Sequence, residues 1–289
     1  MSLVEQAISR LKNQNAAKLS SGPVRMKTPA PINRESGAAT AANRLNIDMQ
    51  DLRAKGYLPE IDQDRSFAEH YRRIKRPLID KALAGAGLGE LRVIMVASAV
   101  PGDGKTFTSI NLALSMARER DMSVLLMDSD VAKQHITGVF GLSGRPGLLD
   151  ALQNDTIDPE SLVVPTNIRG LSLLPAGPRA EGTAELLSSN RMRAITEHLC
   201  ACDPGRILLL DSPPLLITNE GRALLKIAGQ VILVVRASAT PRQAVQAAIR
   251  LIDAGQAGGL VLNDVTSASS EGYYGYGSYG AYGQDTDGS

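Results

Sequence analysis

The chain has 289 residues, 43% of them hydrophobic and 21% charged, and a net charge of +1. At ~100–200 residues per domain this is one large domain with flanks, and its apolar content excludes a chain disordered throughout. A net charge this small gives no bulk attraction to nucleic acid or to a membrane surface.

At the N-terminus Leu3, Val4, Ala7, Ile8 and Leu11 recur at helical spacing behind Ser2, a residue suited to an N-cap. The segment carries acidic and polar residues and no apolar core, so it does not read as a signal peptide. Residues 13–64 are rich in Ala, Asn, Ser, Pro and Gly, which predicts a mostly disordered arm. Residues 66–84 predict a basic helix opened by a Ser66–Glu69 capping box and bent at Pro77. From Leu91 short apolar runs alternate with helical stretches. Strands are expected at 91–98, 123–128, 171–175, 206–211, 230–236 and 258–263, and helices at about 105–119, 191–202, 219–227 and 241–254. Runs this continuous in Val, Ile and Leu indicate strands buried on both faces, hence an α/β fold. The sheet is mostly parallel, with helices on both faces. The longest runs, such as Val231–Val235, are far short of the ~20 residues that span a bilayer. Cys200 and Cys202, one residue apart, read as structural thiols of a reduced, cytosolic protein. The expected organisation is an arm over 1–65, a core domain over 66–266 and a disordered tail over 267–289.

Ala99-Val-Pro-Gly-Asp-Gly-Lys-Thr106 lies between a buried strand and a helix, the context of a phosphate-binding loop, which makes the expected α/β fold P-loop NTPase-like. Gly102 and Gly104 allow close backbone approach, Asp103, Phe107 and the helix start complete the cradle, Lys105 reaches the β- and γ-phosphates, and the Thr106 hydroxyl suits Mg²⁺. The usual first glycine is Ala99. Two further strand ends carry acids: Asp128 and Asp130 after Val124–Met127, and Asp211, before Ser-Pro-Pro, after Ile207–Leu210. In a parallel sheet such ends converge on the ligand crevice, where a carboxylate holds Mg²⁺ or its waters.

With these motifs, at 99–106, 124–130 and 207–214, the chain resembles the bacterial tyrosine kinases, the P-loop autokinases of polysaccharide export. The resemblance covers about 66–266. It implies ATP as substrate, Mg²⁺ held by Thr106, Asp128 and Asp211, catalysis by Lys105, Asp128, Asp130 and Asp211, and Asn263 near the adenine. It gives meaning to the tail GYYGYGSYGAYG, whose Tyr273, Tyr274, Tyr276, Tyr279 and Tyr282 become phosphoacceptors for a neighbouring subunit. Glu69, Arg72 and Lys75 stand where the family joins subunits into a ring, with Lys in place of its second Arg. The resemblance further implies a membrane chain-length determinant as activator, a phosphotyrosine phosphatase as counterpart, no nucleic acid, and a cytoplasmic protein recruited to the membrane. The rival expectation is a switch or scaffold ATPase of the partitioning and septum-site type, which binds or hydrolyses nucleotide without making phosphotyrosine. Val100 stands where those proteins carry a lysine.

Overall fold

A computed structural model describes residues 44–84 and 89–265. Seven strands form one sheet: β1 (Val93–Ser98), β2 (Ser123–Asp128), β3 (Val164–Pro165), β4 (Leu171–Leu174), β5 (Arg206–Asp211), β6 (Gln230–Arg236) and β7 (Ala257–Asn263). Their spatial order is β3-β4-β2-β5-β1-β6-β7, parallel throughout except for the antiparallel pair β3–β4.

The strand residues alternate between two cores. Met95, Leu125, Leu208 and Leu233 face one side, and Ile94, Leu126, Leu209 and Ile232 face the other. On the first side lie α5 (Leu148–Gln153), α6 (Thr183–Ser188), α7 (Asn190–Cys202), α8 (Asn219–Leu225) and α9 (Arg242–Leu251). The second side carries α1 (Met49–Ala54), α2 (Asp64–Ala84), α3 (Lys105–Met116) and α4 (His135–Val139). Helices on both faces explain why β1 is buried at every position and why its sequence shows no polar alternation.

The expected strands and longer helices are present within a few residues. Two differences concern the N-terminal side. The folded unit begins near Leu45, not at residue 66: Leu45 bridges Thr166, and Ile47, Leu52 and Leu58 are buried in the second core. The backbone amide of Ile47 donates to Asn167 Oδ1 at 3.0 Å, tying this segment to the turn before β4. Helix α2 starts at Asp64, directly after a 3-10 turn at Ile61–Gln63, so Ser66 and Glu69 form no capping box; the Glu69 carboxylate pairs with Arg72 and Arg73 instead. As expected, Pro77 lies inside the helix. The N-terminal amphipathic segment and the tyrosine-rich tail lie outside the described residues. Among the described residues no helix is long and apolar enough to cross a membrane.

Candidate nucleotide-binding site

The site lies at the carboxyl ends of the central strands. The loop after β1 turns through Gly102 (φ +85°) and Gly104 (φ +92°), both in a region that L side chains rarely adopt. This turn hands the chain into α3 at Lys105, so the loop amides and the helix amino terminus face the same space. Asp103 is buried and pins the loop from inside: its Oδ2 accepts from the Val100 amide at 3.3 Å and its Oδ1 accepts from Thr240 Oγ1 at 2.7 Å. Asn263, at the end of β7, donates from Nδ2 to the Asp103 carbonyl at 3.1 Å. It packs so closely on Gly104 that a Cβ there would lie 1.9 Å from Asn263 Nδ2. Asn263 therefore braces the loop from the end of β7, two strands away from β1. Arg236 pairs at the surface with Asp264 at 2.8 Å.

Lys105 is buried and its Nζ donates to Ser98 Oγ at 2.8 Å. Burial pulls its pKa down; the nearby Asp211, Asp130 and Asp103 carboxylates oppose that. Asp211 is the centre of the arrangement. Its Oδ2 accepts from Thr106 Oγ1 and its Oδ1 from Ser109 Oγ, each at 2.9 Å. Burial pushes the Asp211 carboxyl up to about 6, against these two bonds and Lys105, which lower it.

Strands β2 and β5 run in register, with Asp128 paired to Asp211. Asp128, like Asp211, is fully enclosed. Its Oδ2 accepts from both the amide and the hydroxyl of Thr137, each at 2.7 Å, and Thr137 Oγ1 in turn accepts from the Ala176 amide at 3.0 Å. Its Oδ1 is buried with no partner. Desolvation raises its pKa to about 7, although the Thr137 bonds lower it. Asp130 is buried and makes a 3.3 Å bond to the Lys133 amide. Of the expected site residues, the structure thus gathers Gly102, Asp103, Gly104, Lys105, Thr106, Asp211 and Asn263 through direct contacts. Asp128 and Asp130 stand beside Asp211 and act on it electrostatically. Phe107 lies outward, edge-on to Phe67 of α2 at 6.1 Å between ring centroids.

The expected subunit-joining triad is divided. Arg72 is exposed and paired to Glu69 at 2.5 Å, whereas Lys75 is buried. Lys75 Nζ reaches Glu119 at 2.7 Å and the Ser115 carbonyl at 2.6 Å, fastening α2 to the end of α3. Its role in this chain is internal, because an ammonium buried in that position needs both partners. Sequence reading missed Ser98, Ser109, Thr137 and Thr240. Ser109 was findable, three residues after Thr106 and so on the same helix face. Ser98 at the end of β1, Thr137 in α4 and Thr240 before α9 meet the site through tertiary contacts, which no local pattern announces.

Comparison with known proteins agrees with this geometry. A family model described as an AAA domain matches residues 91–258. The chain is 32% identical over 154 residues to the tyrosine-protein kinase YwqD of Bacillus subtilis, covering 53% of this chain and 63% of that protein. It is 29% identical over 235 residues to the tyrosine-protein kinase ptk of Acinetobacter johnsonii, covering 80% of this chain and 30% of that one. It therefore spans less than two thirds of these curated relatives. Among solved structures, the kinase domain of VpsO superposes with a TM-score of 0.57 at 29% identity, covering 71% of this chain and all of that one. The kinase domain of the Escherichia coli tyrosine kinase ETK gives 0.58 at 25% identity, over 70% and 76%. The chain is similar to bacterial tyrosine kinases, and it belongs to the AAA domain family.

Proposed function

We propose that this protein is an ATP-dependent tyrosine autokinase whose acceptors are Tyr273, Tyr274, Tyr276, Tyr279 and Tyr282, presented by one copy to the site of another. The observation that carries the reading is the hydrogen bonding of Thr106 and Ser109 to Asp211, with the Lys105 charge acting on the same carboxylate, beneath a glycine loop in a chain that also carries a glycine-spaced tyrosine cluster. Similarity to tyrosine kinases supports the choice of acceptor.

In the proposed reaction the loop amides and Lys105 bind the phosphates of ATP. The donor set around Thr106 and Asp211 is all oxygen, which suits Mg²⁺. Thr106 and Asp211 would hold it, with Asp128 beside them, and when bound it neutralises charge on the transferring phosphoryl group. The tyrosine oxygen attacks Pγ, the bond from Pγ to the β–γ bridging oxygen breaks, and ADP leaves. Asp130, whose carboxylate is less committed than that of Asp128, orients the hydroxyl and accepts its proton. A phenol has a pKa of ~10, so positioning contributes more than base strength.

Self-association, recruitment by a membrane chain-length determinant and a role in exopolysaccharide export belong to the same proposal. Lys105→Met removes the cation beneath the phosphates and should abolish phosphate incorporation. A Lys105→Met protein that still labels its own tail would refute the assignment.

A further inference from the structure

Away from the loop, α1, α2 and the carboxyl half of α3 enclose a groove of about 930 Å³. Seven basic side chains line it against two acidic ones, Asp64 and Glu119, a net of +5. Asp64 is matched by Arg53 at 2.9 Å and Glu119 by Lys75 at 2.7 Å, so both acids are consumed locally. Arg65, Arg118 and Arg169 are exposed, and among the described residues no ion pair engages them. The floor between them is apolar and aromatic, with Phe67 and Tyr71 stacked at 6.4 Å and Leu114 beside them. Unpaired guanidinium groups above an aromatic floor suit a ligand that joins a flat ring to a dianion: the rim meets the phosphate bidentately and the floor takes the ring.

This chain encodes such a ligand. Residues 266–289 contain five tyrosines, three acids (Glu271, Asp285 and Asp287) and no Lys or Arg. They follow Val265, two residues past the end of β7. Helix α2 lies against β7 and also lines the groove; Lys81 Nζ donates at 2.7 Å to the carbonyl of Gly255, just before the start of that strand. A helix is ~10 Å across and 24 extended residues reach roughly 80 Å, so the distance poses no barrier. We propose that the groove between α1, α2 and α3 binds the phosphotyrosine form of residues 266–289, as a docking site separate from the nucleotide site. The inference rests on the autokinase reading for the origin of the phosphate. It would hold the product tail away from the loop and couple the extent of phosphorylation to the exposed face of α2.

The test uses the full chain, shown to be unphosphorylated by intact mass, in EDTA and without ATP. The probe is a fluorescent peptide of residues 270–284 phosphorylated at Tyr276 and Tyr279, with its unphosphorylated twin as comparison. Anisotropy should show at least tenfold tighter binding of the phosphopeptide. That binding should fall at least tenfold in the Arg65→Glu/Arg118→Glu/Arg169→Glu protein and survive Lys105→Met. Equal binding of the two peptides, indifference to the charge reversals, or loss with Lys105→Met would each overturn the proposal. So would charge reversals that abolish sedimentation with phosphatidylglycerol vesicles while leaving phosphopeptide binding intact, since the groove would then serve a membrane surface. Because the phosphopeptide is synthetic, a protein that binds it yet gains no phosphate from Mg·ATP refutes the kinase reading alone.

Discussion

Gly104→Ala isolates the bracing of the loop by Asn263. The substitution has two costs. The backbone sits at φ +92°, and a residue with a Cβ pays about 1–2 kcal/mol in that region. The new Cβ would also lie 1.9 Å from Asn263 Nδ2, forcing that side chain aside and breaking its 3.1 Å bond to the Asp103 carbonyl, worth about 1 kcal/mol. Gly104→Ala should therefore cost about 2–3 kcal/mol, Asn263→Ala about 1 kcal/mol, and the double variant little more than Gly104→Ala alone. The chain has no tryptophan, so urea unfolding is followed by far-ultraviolet circular dichroism. A coupling of about 1 kcal/mol supports the contact. Costs that add within ~0.3 kcal/mol would show that Asn263 does not restrain the loop.

Three further outcomes follow from the same contacts. The folded chain holds the Asp128 proton up to about pH 7, whereas a free carboxyl releases it near 3.8, so the folded state binds the extra proton between these values and stability falls as pH rises through them. Asp128→Asn should lose about 2–3 kcal/mol less than wild type between pH 5 and pH 8 in denaturant titrations; parallel profiles would contradict the raised value. Lys75→Met should destabilise by about 1–2 kcal/mol, because it removes a charge bonded to Glu119 and Ser115, while Arg72→Ala, which breaks an exposed pair, should cost under about 0.5 kcal/mol. Equal costs would show that both residues are surface groups. At Gly147 a Cβ would meet the Pro175 carbonyl oxygen at 2.1 Å, so Gly147→Ala should cost about 3 kcal/mol by thermal or urea unfolding, and a neutral result would mean that this turn relaxes freely.

The central sheet could be read from sequence because each parallel strand is an uninterrupted apolar run, a signal contained in consecutive residues. The short helices α1, α4, α5 and α6, of five or six residues each, are below the length at which a 3.6-residue period can be recognised. The two-residue strand β3 exists only through its partner β4. The segment from Leu45 to Pro59 reads as an arm because Ile47, Leu52 and Leu58 are scattered among Asn, Asp and Gly. What orders it is a contact with Asn167, 120 residues away. The site divides along the same line. The loop glycines, Lys105, Thr106 and the strand-end acids are local patterns, whereas Thr137 and Thr240 reach their carboxylates from other parts of the fold. Lys75 shows the opposite failure: a basic residue at a helical interval from Glu69 and Arg72 looks like a surface group, and only the packing of α2 on α3 reveals it as buried.

The central claim is phosphoryl transfer from ATP to the chain's own tail tyrosines, and intact-mass measurement of the pure protein with Mg·ATP tests it most directly. The account predicts steps of one phosphate, up to five, mapped to Tyr273–Tyr282, absent in Lys105→Met and lost on truncation at Ser270. ATP consumed with no gain in mass, or equal phosphotyrosine in the truncated chain, would contradict it.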